Sequence, residues 1–242
     1  MHKIVIIPTY NEKENIEPMV RKVFSLVGDF HLLIVDDGSP DGTATIVKEL
    51  QKEFPSQLHM IERSGKLGLG TAYITGFKWC MENNYEFIFE MDCDFSHNPD
   101  NLIDLYEAVK EGDYDLSIGS RYIKGWQVKN WPANRILLSY FASVYVRFVT
   151  WMPVADTTAG FVCYSRRIFE KMDLDKIQFK GYAFQIEMKF ATWKLGFKIK
   201  EYPITFTDRV YGESKMSGSI FKEAIFGVLK MAIQGFTKSY SK

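Results

Sequence analysis

Apolar runs of strand length alternate with amphipathic stretches through the first half of the chain, and this alternation constrains the fold more than any other feature. The apolar runs cover residues 4–8, 32–35, 58–61, 86–91 and 116–118, and helical spacing fills 12–26, 44–54, 70–83 and 101–110 between them. Strands separated by single helices predict an α/β fold with a doubly wound, mainly parallel sheet. In such sheets ligands collect in the crevice beyond the carboxyl ends of the strands. Four loops leave those ends: Thr9-Tyr10-Asn11-Glu12, residues 36–42, residues 63–70 and residues 92–99, all of them polar, acidic or glycine-rich. The second half is less regular, with helices expected at 134–150, 182–195 and about 219–236 and a strand near 198–206. Neither a linker nor a repeat interrupts the chain. It reads as one domain over 1–242 with two working halves, 1–120 and 121–242.

Charge and cysteine usage narrow the function classes. Thirty basic residues balance thirty acidic ones, so no overall field points to nucleic acid. The three cysteines, Cys80, Cys93 and Cys163, have no metal-ligand spacing and do not make an even disulfide set, which fits a reducing, cytoplasmic setting. The apolar run at the start, Ile4-Val5-Ile6-Ile7, is too short for a signal-peptide core. Residues 136–154 come nearest to a membrane span but contain Arg147 and Pro153. A span needs about 20 apolar residues, and a central Arg costs roughly 2.5 kcal/mol or more. A buried or interfacial helix is the expectation there.

The strand-end loops carry the chemistry. Asp92-Cys93-Asp94 follows the apolar run Phe87-Ile88-Phe89-Glu90-Met91. Two carboxylates at i and i+2 beyond a strand offer hard oxygen ligands for Mg²⁺ or Mn²⁺, ions that bridge carboxylates to phosphate oxygens. Asp36-Asp37-Gly38-Ser39 supports two readings, a turn that caps the next helix or an acid that accepts hydrogen bonds from a ribose or base. Gly65-Lys66-Leu67-Gly68-Leu69-Gly70 reads either as a flexible loop or as one that brings Lys66 to a phosphate. Arg209 and Lys215 flank Gly212 and would let two cations close over a polyanion. The histidines lack metal-ligand spacing and read as structural, although His97 stands close enough to the acidic loop to support it. The last helix carries an apolar stripe, Phe221 to Phe236, suited to core packing or to an interface.

In this order, the motifs resemble the dolichyl-phosphate (polyprenol monophosphate) mannosyltransferases, family-2 glycosyltransferases of GT-A fold. The resemblance covers nearly the whole chain. It is carried by residues 8–12, 36–43 and 66–73, by Gly119-Ser120-Arg121-Tyr122, by residues 181–188 and by residues 209–215. It implies inverting transfer of mannose from GDP-mannose to a polyprenyl monophosphate. Sister activities on UDP-glucose, transfer to a polysaccharide, or nucleotide-sugar binding without catalysis are the rival expectations.

Position by position, the resemblance implies that Pro8, Tyr10, Glu12, Val35 and Asp37 hold the guanosine. Asp92 would lie near ribose and metal, Cys93 would give a backbone contact, and Asp94 would be the principal carboxylate for Mg²⁺ or Mn²⁺. Arg121, Arg209 and Lys215 would gather phosphates, and Arg135 and Ser139 would meet the lipid phosphate. Asp94, Arg121 and Glu187 are the expected catalytic residues, with Asp156 and Glu187 as orienting or base groups. Some relatives place a metal-binding Gln where this chain has Ser96, which leaves that ligand position to water. The acceptor lipid implies a peripheral protein on the cytoplasmic face of a membrane, docking by itself or through a membrane-anchored partner.

Overall fold

The structure, a computed structural model, describes residues 2–181, 183–208, 218–235 and 238–242, with backbone alone for 218–225. The first half folds as its alternation predicts. Strand β1 (Lys3–Thr9) leads to helix α1 (Ile16–Phe24), β2 (Phe30–Asp36) to α2 (Thr43–Glu53), and β3 (Leu58–Glu62) to α3 (Leu69–Glu82). Strand β4 (Phe87–Glu90), α4 (Asn101–Glu107) and β5 (Leu116–Ser120) complete the series. There follow β6 (Val128–Lys129), α5 (Ala133–Thr150), β7 (Val162–Ser165), α6 (Arg166–Lys171), α7 (Ala183–Lys194), β8 (Ile199–Pro203), β9 (Phe206–Thr207) and α8 (Gly218–Gln234).

Seven strands from both halves join one sheet in the order β3-β2-β1-β4-β7-β5-β8. All are parallel except β7, which runs antiparallel to both β4 and β5. The sequence reading missed β7. It has only four residues, all buried, and so shows no alternation to mark it. A short buried run of this kind looks the same whether it pairs parallel or antiparallel.

The chain steps outward from β1 to β2 and β3, then returns to place β4 on the other side of β1. That reversal opens a crevice between the carboxyl ends of β1 and β4. The fold therefore delivers Thr9 and the loop after Glu90 to the same point. The unbroken apolar runs have a matching cause, since both faces of the sheet are covered. Ile4, Ile6, Leu33 and Ile88 pack toward Tyr73, Phe77 and Phe184 of α3 and α7. Val5, Ile7, Leu32 and Phe89 turn the other way, toward Val20, Val47 and Leu105 of α1, α2 and α4.

Helix α5 starts after Pro132 and stops at Trp151, whose left-handed φ of 61° and the following Pro153 prevent another turn. One face of α5 carries buried Ser143, Val146 and Thr150, while Leu138, Phe141, Phe148 and Trp151 are exposed. Phe226, Leu229 and Ile233 of α8 are exposed as well. No helix among the described residues is long and apolar enough to cross a membrane.

Candidate active site

The loops after β1 and β2 are locked to each other. Backbone N–H groups of Asn11, Glu12 and Lys13 donate to Ser39 Oγ (3.0 Å), Thr43 Oγ1 (3.0 Å) and Asp41 Oδ2 (3.1 Å). The two readings of Asp36-Asp37 divide between the two residues. Asp36 closes the turn, accepting from Thr9 Oγ1 at 2.9 Å and from Ser39 N and Oγ at 2.8 and 2.6 Å. Asp37 lines the cleft and is gripped by Arg63, whose Nε and Nη2 donate to its two oxygens at 2.7 and 2.9 Å. The sequence places Arg63 at the start of the loop 63–70 but assigns it no such grip. Its only sequence signal is its place at the end of β3, next to β2 in the sheet.

Beyond β4, Asp92 and Asp94 differ sharply in setting. The Asp92 side chain is 42% exposed, whereas Asp94 is buried. Ser96 donates its N–H (3.0 Å) and its hydroxyl to Asp94 Oδ1. Its hydroxyl thus orients the carboxylate, a role the family comparison of ligands did not suggest. His97 stands directly behind this loop. Its Nδ1 accepts from Asp92 N at 3.3 Å, and its ring stacks on Phe161 with centroids 5.0 Å apart. Burial pushes the imidazole down to about 4, so it is a neutral acceptor at Nδ1.

Among the described residues, no group of three or more His, Cys, Asp or Glu side chains could by itself hold a metal ion. Two neighbouring carboxylates nevertheless fit Mg²⁺ or Mn²⁺, hard ions commonly held by one or two carboxylates with water and substrate phosphate as the remaining ligands.

Two arginines also line the cleft, and both are braced. Arg121, just past β5, is buried and donates from Nε and Nη2 to Asp156 at 2.7 and 2.6 Å, with a further bond from Nη2 to Thr158 at 2.8 Å. Burial works against both charges. The arginine nonetheless stays above its ordinary range and Asp156 below its own, because each stabilises the other. Asp156 is placed in turn by Glu201 of β8, which accepts from the N–H groups of Ala155 (2.7 Å) and Asp156 (2.9 Å). The Asp156 carboxylate is thereby committed to orienting Arg121. Arg135 of α5 lies over Trp131, 4.0 Å from the ring centroid, and reaches Asp208 at 3.2 Å. Ser139 accepts from Tyr122 Oη at 2.8 Å.

These groups share one cleft of about 700 Å³. Pro8, Tyr10, Glu12, Asp37, Asp92, Cys93 and Asp94 line it, as do Arg121, Arg135 and Ser139. Lys66 also lines it, its ammonium 5.3 Å from the Tyr10 ring centroid. Gly68, at φ 103°, and Gly70 let the start of α3 press against the chain at residues 179–180. A Cβ on Gly70 would lie 2.8 Å from the Phe179 carbonyl oxygen. Leu138, Phe141 and Val146 of α5 and Val228 of α8 extend the cleft as an apolar wall.

Two expected residues fall elsewhere. Val35, a residue of β2, is buried in the core and does not line the cleft. Glu187 of α7, expected to be catalytic, does not line the cleft; its carboxylate is buried and binds the N–H groups of Gln178 and Phe179. The resemblance, not periodicity, named Glu187, and α7 is buried along ten consecutive residues, so spacing alone does not tell which of them face the cleft. Arg209 and Lys215 lie outside the described residues.

The comparisons with known proteins agree with this architecture. The family model for glycosyl transferase family 2 matches residues 4–173. A polyprenol monophosphomannose synthase of Mycolicibacterium smegmatis is 46% identical over 232 residues, spanning 96% of this chain and 87% of that protein. An undecaprenyl-phosphate mannosyltransferase of Micrococcus luteus is 43% identical over 233 residues, spanning 96% and 95%. Among solved structures, the glucosyl-3-phosphoglycerate synthase of Mycobacterium tuberculosis, bound to Mn²⁺, UDP-glucose and phosphoglyceric acid, superposes with a TM-score of 0.66 at 16% identity, covering 97% of this chain and 79% of the other. A mannosyltransferase of Pyrobaculum calidifontis, bound to GDP-mannose and Mn²⁺, gives 0.59 at 15% identity, covering 97% and 73%. These likenesses establish a GT-A-like fold, and with the sequence matches they show that the chain belongs to glycosyl transferase family 2.

Proposed function

We propose that this chain transfers a mannosyl group from GDP-mannose to a polyprenyl monophosphate, with inversion at the anomeric carbon. One observation carries the reading. A single cleft is lined by the acids Asp37, Asp92 and Asp94, by the cations Arg121 and Arg135, and by an apolar wall on α5 and α8, helices that also carry exposed apolar residues. That combination of linings suits a nucleotide, phosphate groups and a lipid chain. Two relatives above 40% identity are named for transfer of mannose to lipid phosphates.

Asp92 and Asp94 would hold Mg²⁺ or Mn²⁺, which supplies charge neutralisation for the departing diphosphate. Ser96 and His97 set the loop that presents these carboxylates. Asp37, fixed by Arg63, and the locked loop at Tyr10 and Glu12 receive the guanosine. Arg121 is held rigid by Asp156 and Thr158 before substrate arrives, so it stabilises developing phosphate charge without reorganising. Arg135 and Ser139 receive the acceptor phosphate. That phosphate is largely dianionic near neutral pH, with a second pKa of roughly 6, and it attacks without a protein base. The setting of Asp156 and Glu187 agrees, since both carboxylates are committed to other groups. The exposed apolar residues of α5 and α8 rest on the cytoplasmic face of a bilayer, from which the acceptor enters.

Incubation with labelled GDP-mannose or UDP-glucose, with and without polyprenyl phosphate, tests the reading. Label should enter the organic phase only with GDP-mannose and the lipid together. Lipid labelling from UDP-glucose, or label on a polysaccharide, would overturn it.

A further inference from the structure

Glu187 is a buried carboxylate that the cleft leaves out, yet it binds four donors. Its Oε2 accepts from two successive backbone groups, Gln178 N at 2.7 Å and Phe179 N at 3.0 Å. Its Oε1 accepts from Lys238 Nζ and Tyr240 Oη, both at 3.2 Å. One carboxylate thus ties the loop 177–181 to a segment about fifty residues further along the chain.

Both partners are themselves anchored. Lys238 Nζ also donates to Lys176 O at 2.6 Å, and Lys176 Nζ donates to Ser241 O at 2.6 Å. Asp173 N donates to Tyr240 O at 2.8 Å, and the Tyr240 ring meets Phe190 edge-on at 6.3 Å. Burial beside the carboxylate holds the Tyr240 phenol above its ordinary range, so it remains a donor.

The other end of the loop reaches the cleft. Lys180 and Gly181 line it, and Lys180 O accepts from Gly70 N at 2.8 Å. Phe179 fits against α8 so closely that a Cβ on Gly227 would lie 2.6 Å from its ring. The loop is therefore the joint between the start of α3, the apolar wall at Val228 and the segment 238–242.

We infer that Glu187 is a positioning residue: it locks loop 177–181 to the segment 238–242 and thereby sets the acceptor side of the cleft. The inference rests on the lipid-phosphate reading above for the substrate it names, but not for the lock itself. Glutamine at 187 would keep one acceptor and turn an amide N–H₂ toward either Lys238 or the loop N–H groups, so a near-isosteric change breaks half of the arrangement. Tyr240→Phe removes a single donor.

Two measurements on the full chain test it. In steady-state kinetics with GDP-mannose and polyprenyl phosphate, Glu187→Gln should raise the KM for the lipid about tenfold and Tyr240→Phe about threefold, with kcat and the KM for GDP-mannose within about twofold of the parent. A fall in kcat at unchanged lipid KM would overturn the assignment and make Glu187 a participant in the chemistry. Hydrogen exchange gives the second readout, independent of activity. Amides of 178–180 should be protected in the parent and exchange faster in Tyr240→Phe; equal exchange in both would overturn the lock. If the parent transfers nothing to polyprenyl phosphate, the functional reading fails, while the exchange result still decides the lock.

Discussion

The acids of the cleft stand at the ends of the regular parallel strands β2 and β4, and the turns and strand ends beside them hold them. Arg63, at the end of neighbouring β3, grips Asp37, and Ser96 of the same loop holds Asp94. The two arginines of the cleft, by contrast, are braced by carboxylates from far along the chain. Arg121 depends on Asp156, 35 residues away, and Arg135 on Asp208, 73 residues away. The acidic side is thus set by the regular sheet and the turns at its strand ends, and the two arginines by tertiary contacts among irregular segments. The first should bind its ligand with little adjustment, and the second should be sensitive to changes at a distance.

The largest expected effect lies on the acidic side. Asp94→Ala should lower turnover about 10³-fold even with saturating Mn²⁺, because charge on the departing group loses its principal counterweight. Near-normal turnover of that variant would break the comparison at its base. Arg121→Lys sharpens the other side. Lysine cannot reproduce the planar fork that Asp156 and Thr158 hold, so kcat/KM should fall about 10²-fold although the charge is kept. A loss under threefold would show that charge alone suffices there.

Two smaller effects separate docking and folding from chemistry. Phe148 is 81% exposed on α5, and Phe148→Asp should weaken sedimentation with lipid vesicles about tenfold. Turnover on a short acceptor dispersed in detergent should stay within about twofold of the parent; loss of both together would place Phe148 in the cleft's own machinery. His97 gives the smallest effect. Its folded pKa of about 4 lies below the roughly 6.5 of an exposed imidazole. As pH falls from 6.5 toward 4, the unfolded chain binds the proton that the fold refuses, so stability drops by up to about 1.4 kcal/mol per pH unit. Urea midpoints at pH 7.5 and 5 should therefore diverge less in His97→Gln than in the parent. Identical divergence would mean that His97 is not held neutral.

The same contrast decides what the sequence could disclose. Strands β1 to β5 and the position of Asp92 and Asp94 were legible because buried parallel strands read as apolar runs, and the crevice follows from their order. Strand β7 was not, since four buried residues carry no period. The Arg63 grip on Asp37 required knowing that β3 lies beside β2. The commitment of Asp156 to Arg121, and that of Glu187 to a loop outside the cleft, depended on contacts that no spacing records. Resemblance named Arg121, Arg135 and Ser139, which line the cleft, and also Glu187, whose buried carboxylate takes four donors outside it.

If donor and acceptor are held by separate sides of one cleft, their Michaelis constants should respond separately. Arg135 is the residue to change, because it lines the cleft from α5 and is braced by Trp131 and Asp208. Steady-state assay of Arg135→Ala should raise the KM for polyprenyl phosphate about tenfold or more and leave the KM for GDP-mannose within about twofold. An equal rise in both constants, or a rise for GDP-mannose alone, would contradict a cleft divided in this way.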